Sequence, residues 1–509
     1  MNIPSTDFFK QNFESKIIVI AVCVYVLSFL IFYPSFYASI DEHGYLQNTV
    51  RLANGSIGEP NAEYAGRAIF NGEEYISTRV IGKSIFLLPF IVFGLSGAMF
   101  SGLVIHLLNF CILLLLFKKL KINKMFSLLY LLLPTFVWAS RTLYPGLLVL
   151  TFFLAAFYFY FSEKKKHSFF TGLFFGLAVL TRNDAAYGVV ALLVVMLFKD
   201  REKLFYTVLG GIAPALALFS INYLLYGGVL STGSGSISNL LFNYASDNIV
   251  TFTVYIALLM VFLPLLLISP FFEKKTGAKW EFAAFSIAYL VMNSTFTNFF
   301  TFEFSFHSLV TSRLRYLISL IGVLLIPYSA FLTELSEKGF AKKHFQKIVL
   351  VVLVLLSVGT IVLSSVHADF LYEKRTLVFE SVYSNTPANA LIVGSSDDAI
   401  FFVKDFFPDR KYLNINPGAD LGGNPENIKV IGKIKENKDS YLLLLSYTHV
   451  EEKNSLRSEI VESERKEIFN FYEANAESFD LIAFEPEIQM WLYKYNGGEL
   501  KNSVSGEQK

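Results

Sequence analysis

About a dozen apolar runs recur along the chain, each near the ~20 residues that a helix needs to cross a hydrocarbon layer. They begin near Ile17, Val80, Ala98, Met125, Thr142, Ser168, Asp184, Leu204, Val250, Glu281, Leu314 and Ile348. With 54% apolar residues and a mean hydropathy of +0.49, most of this 509-residue chain must be solvated by lipid. The first run, Ile17 to Phe32, is followed by no small-residue cleavage pattern and by many further spans, so it reads as a membrane helix rather than a signal peptide. A net charge of +1 leaves no basic excess for a nucleic-acid partner. Cys23 and Cys111 both fall in apolar runs, far apart, which suggests neither a disulfide framework nor a thiolate metal site.

Lysine sets the orientation. It gathers at Lys118, Lys119, Lys121 and Lys124, at Lys164 to Lys166, at Lys199 and Lys203, at Lys274, Lys275 and Lys279, and at Lys338, Lys342, Lys343 and Lys347. These connections are expected to face the cytoplasm. The connections at Arg141 to Tyr144, Arg182 to Asp184, Gly227 to Asn248 and Phe296 to Arg313, and all that follows Val366, then face outward. With the N-terminus inside, two full crossings between Val80 and Phe117 would place the Lys118 cluster on the wrong side. The half broken by Pro89, Gly94, Ser96 and Gly97 is therefore expected to be short or re-entrant, which irregular backbone permits only under a cover of protein or beside a water-filled cavity.

The expected fold is a polytopic α-helical membrane protein of about 11 to 13 spans over 1–368, with a first outer loop at 39–79 and a small extracytoplasmic α/β domain at 369–509. In that domain strand-like runs stand at Leu391 to Val393, Tyr412 to Ile415, Tyr441 to Leu445, Leu481 to Phe484 and Met490 to Tyr495. Helical stretches are read at Ala399 to Phe406 and from about Val450 to Ala474. The Gly394-to-Asp398 loop lacks the spaced glycines and lysine of a phosphate cradle. No internal repeat is evident.

Chemistry is first suggested directly after the first span, in Ser39-Ile40-Asp41-Glu42-His43-Gly44-Tyr45. Ser39 and Glu42 have capping-box spacing, which makes Asp41 the second residue of a new helix and keeps its carboxylate ionised in the positive end of the dipole. A helix lying on the membrane surface is expected, with Leu46, Val50 and Ala53 downward and Gly44, Tyr45, Asn48 and Arg51 on the face of Asp41. Gly44 would leave room for a ligand. The bland alternative is that Asp41 is only a first-turn acid.

Arginine distribution favours the functional reading. Cytoplasmic connections use lysine, with Arg201 the exception, whereas outward ones carry Arg51, Arg67, Arg79, Arg141, Arg182, Arg313 and Arg315 with only Lys83 besides. Topology does not distinguish the two cations, but phosphate does, because a guanidinium makes paired hydrogen bonds. For each arginine singly, snorkelling to headgroups or pairing with Asp184 or Glu303 competes with ligand binding. Phe299 to Phe306 is the densest outward aromatic cluster, read mainly as interfacial, with His307 alone within it. No cofactor is required; a divalent metal held by Asp41, Glu42 and His43 stays an open alternative that the sequence does not indicate, since neighbouring helical residues point apart.

Asp41-Glu42 after the first span, Ser140-Arg141-Thr142-Leu143-Tyr144-Pro145, the string from Gly172 to Arg182 and Arg315-Tyr316-Leu317 together resemble the GT-C glycosyltransferases. Within them the chain looks most like the branch of protein O-mannosyltransferases and lipid A aminoarabinose transferases. The likeness covers the membrane portion through Ile326. It implies transfer of a sugar, with inversion, from a polyprenyl-phosphate donor to an acceptor hydroxyl on the outer face. Asp41 matches the family's acid in the first outer loop, and Arg182 its arginine after the glycine-rich span. Tyr144 stands where relatives carry a glutamate.

On this reading Asp41 is the base and Glu42 assists it. Arg182, Arg141, Arg313, Arg315, Arg79 and Lys83 bind the donor phosphate. Tyr45, Tyr144, His307 and Tyr316 position substrates. The partners are the lipid-linked donor, an unidentified hydroxyl acceptor and the bilayer. A flippase for lipid-linked sugars and an inactive scaffold are the competing classes.

Overall fold

The computed structural model describes residues 6–34, 40–58, 68–70, 75–77, 79–229, 245–296, 314–337, 343–394, 410–414, 432–445, 471–486 and 490–500. Two compact units emerge, one comprising Met1–Tyr37, Val80–Phe299 and Phe304–Ala368, the other Ala38–Arg79, Phe300–Glu303 and Asp369–Lys509. The segment Ala38–Arg79 thus groups with the C-terminal region.

The first unit is a helical bundle. Its helices are α1 (Thr6–Ile31), α3 (Ile81–Ile91), α4 (Gly94–Leu120), α5 (Ser127–Leu132), α6 (Pro134–Ala139), α7 (Gly146–Tyr160), α8 (Ser168–Thr181), α9 (Ala185–Lys199), α10 (Arg201–Tyr226), α11 (Ala245–Phe262), α12 (Ser269–Phe272), α13 (Lys279–Phe296), α14 (Ile318–Glu337) and most of α15 (Lys343–Asn385); α2 (Ile40–Ala53) belongs to the other unit. Each of the twelve expected segments is helical. Among the described residues, Glu14–Ile31, Ser96–Leu120, Arg201–Tyr226 and Leu314–Glu337 are long and apolar enough to cross a membrane. Shorter apolar helices include Gly146–Tyr160 and Ala185–Lys199.

Two departures from uniform spans have local causes. α3 ends after 11 residues, about 16 Å at 1.5 Å per residue, too short for a ~30 Å hydrocarbon core. The chain then turns through Gly94, whose φ of +70° suits glycine. The half of the Val80–Phe117 stretch expected to be short is therefore short. The segment expected from Met125 is two six-residue helices, because Pro134 lacks the N–H that would continue α5 and opens α6 instead.

Close approach of α8 and α10 depends on glycine. A Cβ on Gly172 would lie 1.7 Å from the Thr207 carbonyl oxygen, and one on Gly210 would lie 1.8 Å from that of Phe169. Small residues four apart let backbones meet where no hydrophobic effect drives helices together.

The lysine-bearing connections share one end of the bundle. Lys119 Nζ donates to the Tyr158 carbonyl at 2.7 Å and Lys124 Nζ to Ser15 Oγ at 2.6 Å. Lys203 Nζ donates to the Tyr160 carbonyl at 3.1 Å, Lys199 pairs with Glu281 at 2.7 Å, and Lys275 pairs with Glu337 at 2.9 Å. The exposed Lys275–Glu337 pair contributes about 0–1 kcal/mol, so it reports placement rather than stability.

In the second unit, β1 (Ala68–Phe70) and β2 (Tyr75–Ser77) form an antiparallel hairpin between α2 and α3. The C-terminal sheet contains all five expected strands: β3 (Leu391–Gly394), β4 (Lys411–Asn414), β5 (Ser440–Leu445), β6 (Phe479–Glu485) and β7 (Met490–Tyr495). Their order is β4-β3-β5-β7-β6, parallel through the first three and antiparallel through the last three. Leu391, Val393, Leu442, Leu444, Phe479 and Tyr493 form its core. The stretch 395–409, with the loop after Gly394 and the first expected helix, lies outside the described residues, as does most of the second helix.

Candidate active site

At the other end of the bundle from the lysines, three short connections converge. The first is Arg182 to Asp184, the tight link between α8 and α9, in which the Ala185 N–H returns to the Arg182 carbonyl at 3.1 Å. The second is the single 3-10 turn Leu314–Leu317 that opens α14. The third is the stretch before α7. Ser319 Oγ donates to the Gly146 carbonyl at 3.3 Å, and a Cβ on Gly146 would touch Ile318 at 3.5 Å. That contact between the starts of α7 and α14 carries Tyr144 to Arg315.

These connections build a cationic and aromatic cluster. Arg315 donates one nitrogen to the Tyr144 hydroxyl at 2.6 Å and the other to the Tyr316 hydroxyl at 2.9 Å. Its guanidinium lies 4.8 Å from the centroid of each ring, and that of Arg182 lies 5.7 Å from the Tyr316 centroid. Cation–π contacts contribute about 0.5–1 kcal/mol when exposed and roughly 2 when desolvated. Arg182 also pairs with Asp184 at 2.9 Å. Burial pushes the Asp184 carboxyl above its ordinary range, against the pull of Arg182. Trp138 packs on Tyr144 with centroids 5.7 Å apart.

Of the residues expected at the donor phosphate, Arg182 and Arg315 therefore come together, with Tyr144 and Tyr316 between and beside them. Lys83 is fully buried on α3, whose Gly82 meets the last turn of α8: a Cβ there would be 2.5 Å from the Leu180 carbonyl oxygen. Arg141 has different partners. It donates to the Phe32 carbonyl at the end of α1 and to Ser365 Oγ of α15 at 2.6 Å, and it lies 5.6 Å from the Phe29 ring. Arg313 and His307 lie outside the described residues.

Helix α2 begins at Ile40, so Asp41 is its second residue, as expected; the Asp41 side chain and Ser39 lie outside what is described. The face of α2 that carries Tyr45, Asn48 and Arg51 is buried. Glu42, His43, Tyr45, Asn48, Thr49 and Arg51 are buried, whereas Ala53 is exposed and Val50 only half-buried. The space left by Gly44 is also filled: a Cβ there would stand 2.9 Å from Arg79 Cγ, and Asn48 Nδ2 donates to the Arg79 carbonyl at 3.4 Å. Gly44 admits the stem of Arg79 rather than a ligand. Among the described residues no three His, Cys, Asp or Glu side chains are grouped to hold a metal ion.

Asp184 was visible in the sequence as a rival partner for Arg182. Trp138 and Ser319 were not, since an aromatic or a serine in an apolar run gives no sign of what it faces.

The fold is that of a helical membrane protein, and several solved structures share it. ArnT from Cupriavidus metallidurans superposes with a TM-score of 0.56 at 12% identity, over 94% of this chain and 98% of its own. Its structure bound to undecaprenyl phosphate gives 0.57 at 10% identity. The Archaeoglobus fulgidus oligosaccharyltransferase AglB, in complex with an inhibitory peptide and a dolichol-phosphate, gives 0.51 at 11% identity over 96% of this chain and 75% of its own. The arabinofuranosyltransferase AftD from Mycobacteria gives 0.52 at 10% identity, the chain covering 40% of it. At such identities the likeness is one of fold. No family model and no curated protein matches the sequence.

Proposed function

We propose that this protein is a membrane glycosyltransferase that takes a sugar from a polyprenyl-phosphate donor and passes it to an acceptor hydroxyl on the outer face. The observation that carries the reading is the pair of guanidiniums, Arg182 and Arg315, gathered on one tyrosine ring at the end of the bundle opposite the lysine-bearing connections. Two fixed, always-charged forks suit a phosphate whose oxygens gain charge during reaction. The fold supports the same reading, because its neighbours include structures holding undecaprenyl phosphate and dolichol-phosphate.

On this proposal Asp41 removes the proton of the acceptor hydroxyl as that oxygen attacks the anomeric carbon opposite the phosphate. The bond from that carbon to the phosphate oxygen breaks, the oxygen keeps the electron pair, and inversion follows. Arg182 and Arg315 stabilise the second negative charge on the departing polyprenyl phosphate, with Lys83 as a further cation. Glu42 and Tyr45 orient Asp41 or the acceptor. The donor reaches the site through the bilayer, so a nucleotide-binding domain is unnecessary.

The test is titration of undecaprenyl phosphate into purified protein in lipid nanodiscs, followed by incubation with a radiolabelled undecaprenyl-phosphate sugar. Saturable binding that Arg182→Ala with Arg315→Ala abolishes is expected. Absence of binding in the wild type would overturn the reading. Movement of labelled lipid across vesicles without any covalent transfer would replace it with transport.

A further inference from the structure

One face of α4 carries Gly102, His106 and Asn109, at the i, i+4, i+7 spacing of a helical stripe. Each meets a backbone carbonyl in the interrupted stretch that follows. A Cβ on Gly102 would lie 2.0 Å from the Ser140 carbonyl oxygen at the end of α6. His106 Nε2 lies 3.3 Å from the Leu131 carbonyl of α5, and Asn109 Nδ2 donates to the Leu147 carbonyl of α7 at 2.9 Å. A carbonyl can only accept, so His106 carries its proton on Nε2.

The Leu131 carbonyl needs that donor. α6 restarts at Pro134, the Phe136 and Val137 N–H groups both bond to the Leu133 carbonyl, and the ladder from α5 is broken. In an apolar surround each released carbonyl costs several kcal/mol unless it is paired. Around His106 the grip extends further. Its ring lies 4.8 Å from that of Tyr130, stacked, and 4.7 Å from that of Tyr25 on α1. The Tyr25 hydroxyl donates to Ser140 Oγ at 2.6 Å, which donates in turn to the Val137 carbonyl at 2.6 Å. His106, Asn109, Tyr25 and Ser140 are all buried.

We propose that His106, with Gly102 and Asn109, is the positioning element of the donor site. It holds the broken α5–α6–α7 stretch in place so that Tyr144, in the turn between α6 and α7, meets Arg315. This rests on the donor-phosphate reading above. A buried histidine on α4 is then explained by the helix break that it completes. His106 acts through Tyr144 and is not itself a catalytic residue.

The experiment compares His106→Leu, which keeps volume but loses the N–H, with His106→Gln, whose amide restores a donor. Two readouts are taken on full-length protein in nanodiscs: amide hydrogen exchange over residues 134–146 without ligand, and affinity for undecaprenyl phosphate alone and in combination with Tyr144→Phe. His106→Leu is expected to speed exchange in that stretch about tenfold and to weaken binding about tenfold, and His106→Gln to restore both. Combined with Tyr144→Phe, His106→Leu should add little further loss, since both act on one contact.

Unchanged exchange overturns the proposal, as does a binding loss that adds in full to that of Tyr144→Phe. If His106→Leu yields no folded protein, Asn109→Val takes its place with the same two expectations. A wild type that binds no undecaprenyl phosphate overturns the donor reading alone, because the exchange readout uses no ligand.

Discussion

Arg315 donates to the Tyr144 hydroxyl at 2.6 Å across 171 residues of chain, and its guanidinium also lies over that ring. The tyrosine thus supplies an acceptor and a π face where the resembled family commonly has a carboxylate. A phenol leaves the positive charge of Arg315 intact for a phosphate, whereas a carboxylate would cancel part of it.

Removing the hydroxyl should therefore weaken donor binding, and adding a charge should weaken it more. Tyr144→Phe forfeits a hydrogen bond to a charged group, about 1.5–3 kcal/mol, an affinity loss of roughly tenfold to a hundredfold. Tyr144→Glu is expected to bind undecaprenyl phosphate less tightly than Tyr144→Phe. Calorimetric titration in nanodiscs ranks the two, and the reverse order would contradict the charge argument.

Asp184→Asn should separate stability from affinity. It breaks the 2.9 Å pair with Arg182. Breaking a fully buried pair costs about 3–5 kcal/mol, and the partly exposed Arg182 reduces this to roughly 1–3. With that carboxylate neutral, a bound phosphate has less competition for the Arg182 guanidinium. A lower melting temperature without ligand, and a larger upward shift on adding undecaprenyl phosphate, are the expected results of thermal unfolding.

As the proposed base, Asp41 is required for turnover but not for holding the donor. Asp41→Asn is expected to lower transfer roughly 100-fold or more while leaving undecaprenyl phosphate affinity within about twofold of wild type. Transfer assays and titrations on one preparation check both halves, and unimpaired transfer would remove Asp41 from the mechanism.

Packing of α8 on α10 should tolerate no side chain at Gly172, where a Cβ would stand 1.7 Å from the Thr207 carbonyl oxygen. Gly172→Leu is expected to abolish a monodisperse peak on size-exclusion chromatography in detergent. Gly359→Ala on α15, with nothing within 4 Å of the new carbon, serves as the unaffected control.

Orientation can be read by labelling in intact cells, in a background with Cys23 and Cys111 replaced by serine. Asn183→Cys at the arginine end should react with a membrane-impermeant maleimide added outside. Lys165→Cys at the lysine end should react only after permeabilisation. The opposite pattern would invert the topology.

Much of this protein is local in origin and was therefore legible in its residues. Apolar length specifies helices in lipid because no water is present to pair a free backbone, and alternation of apolar runs with turn residues marked all five strands of the C-terminal sheet. Separation of most lysines from the arginines was likewise visible, as was the short α3, interrupted at Pro89 and Gly94. What tertiary structure alone decided is which distant groups meet. Arg182 joins Arg315 at Tyr316 while Arg141 turns to Phe32 and Ser365, and Arg79 fills the space over Gly44. Linear spacing could not sort these arginines, because their partners depend on which helices lie side by side, and backbone contacts at Gly172, Gly102 and Gly146 settle that only once the bundle is packed.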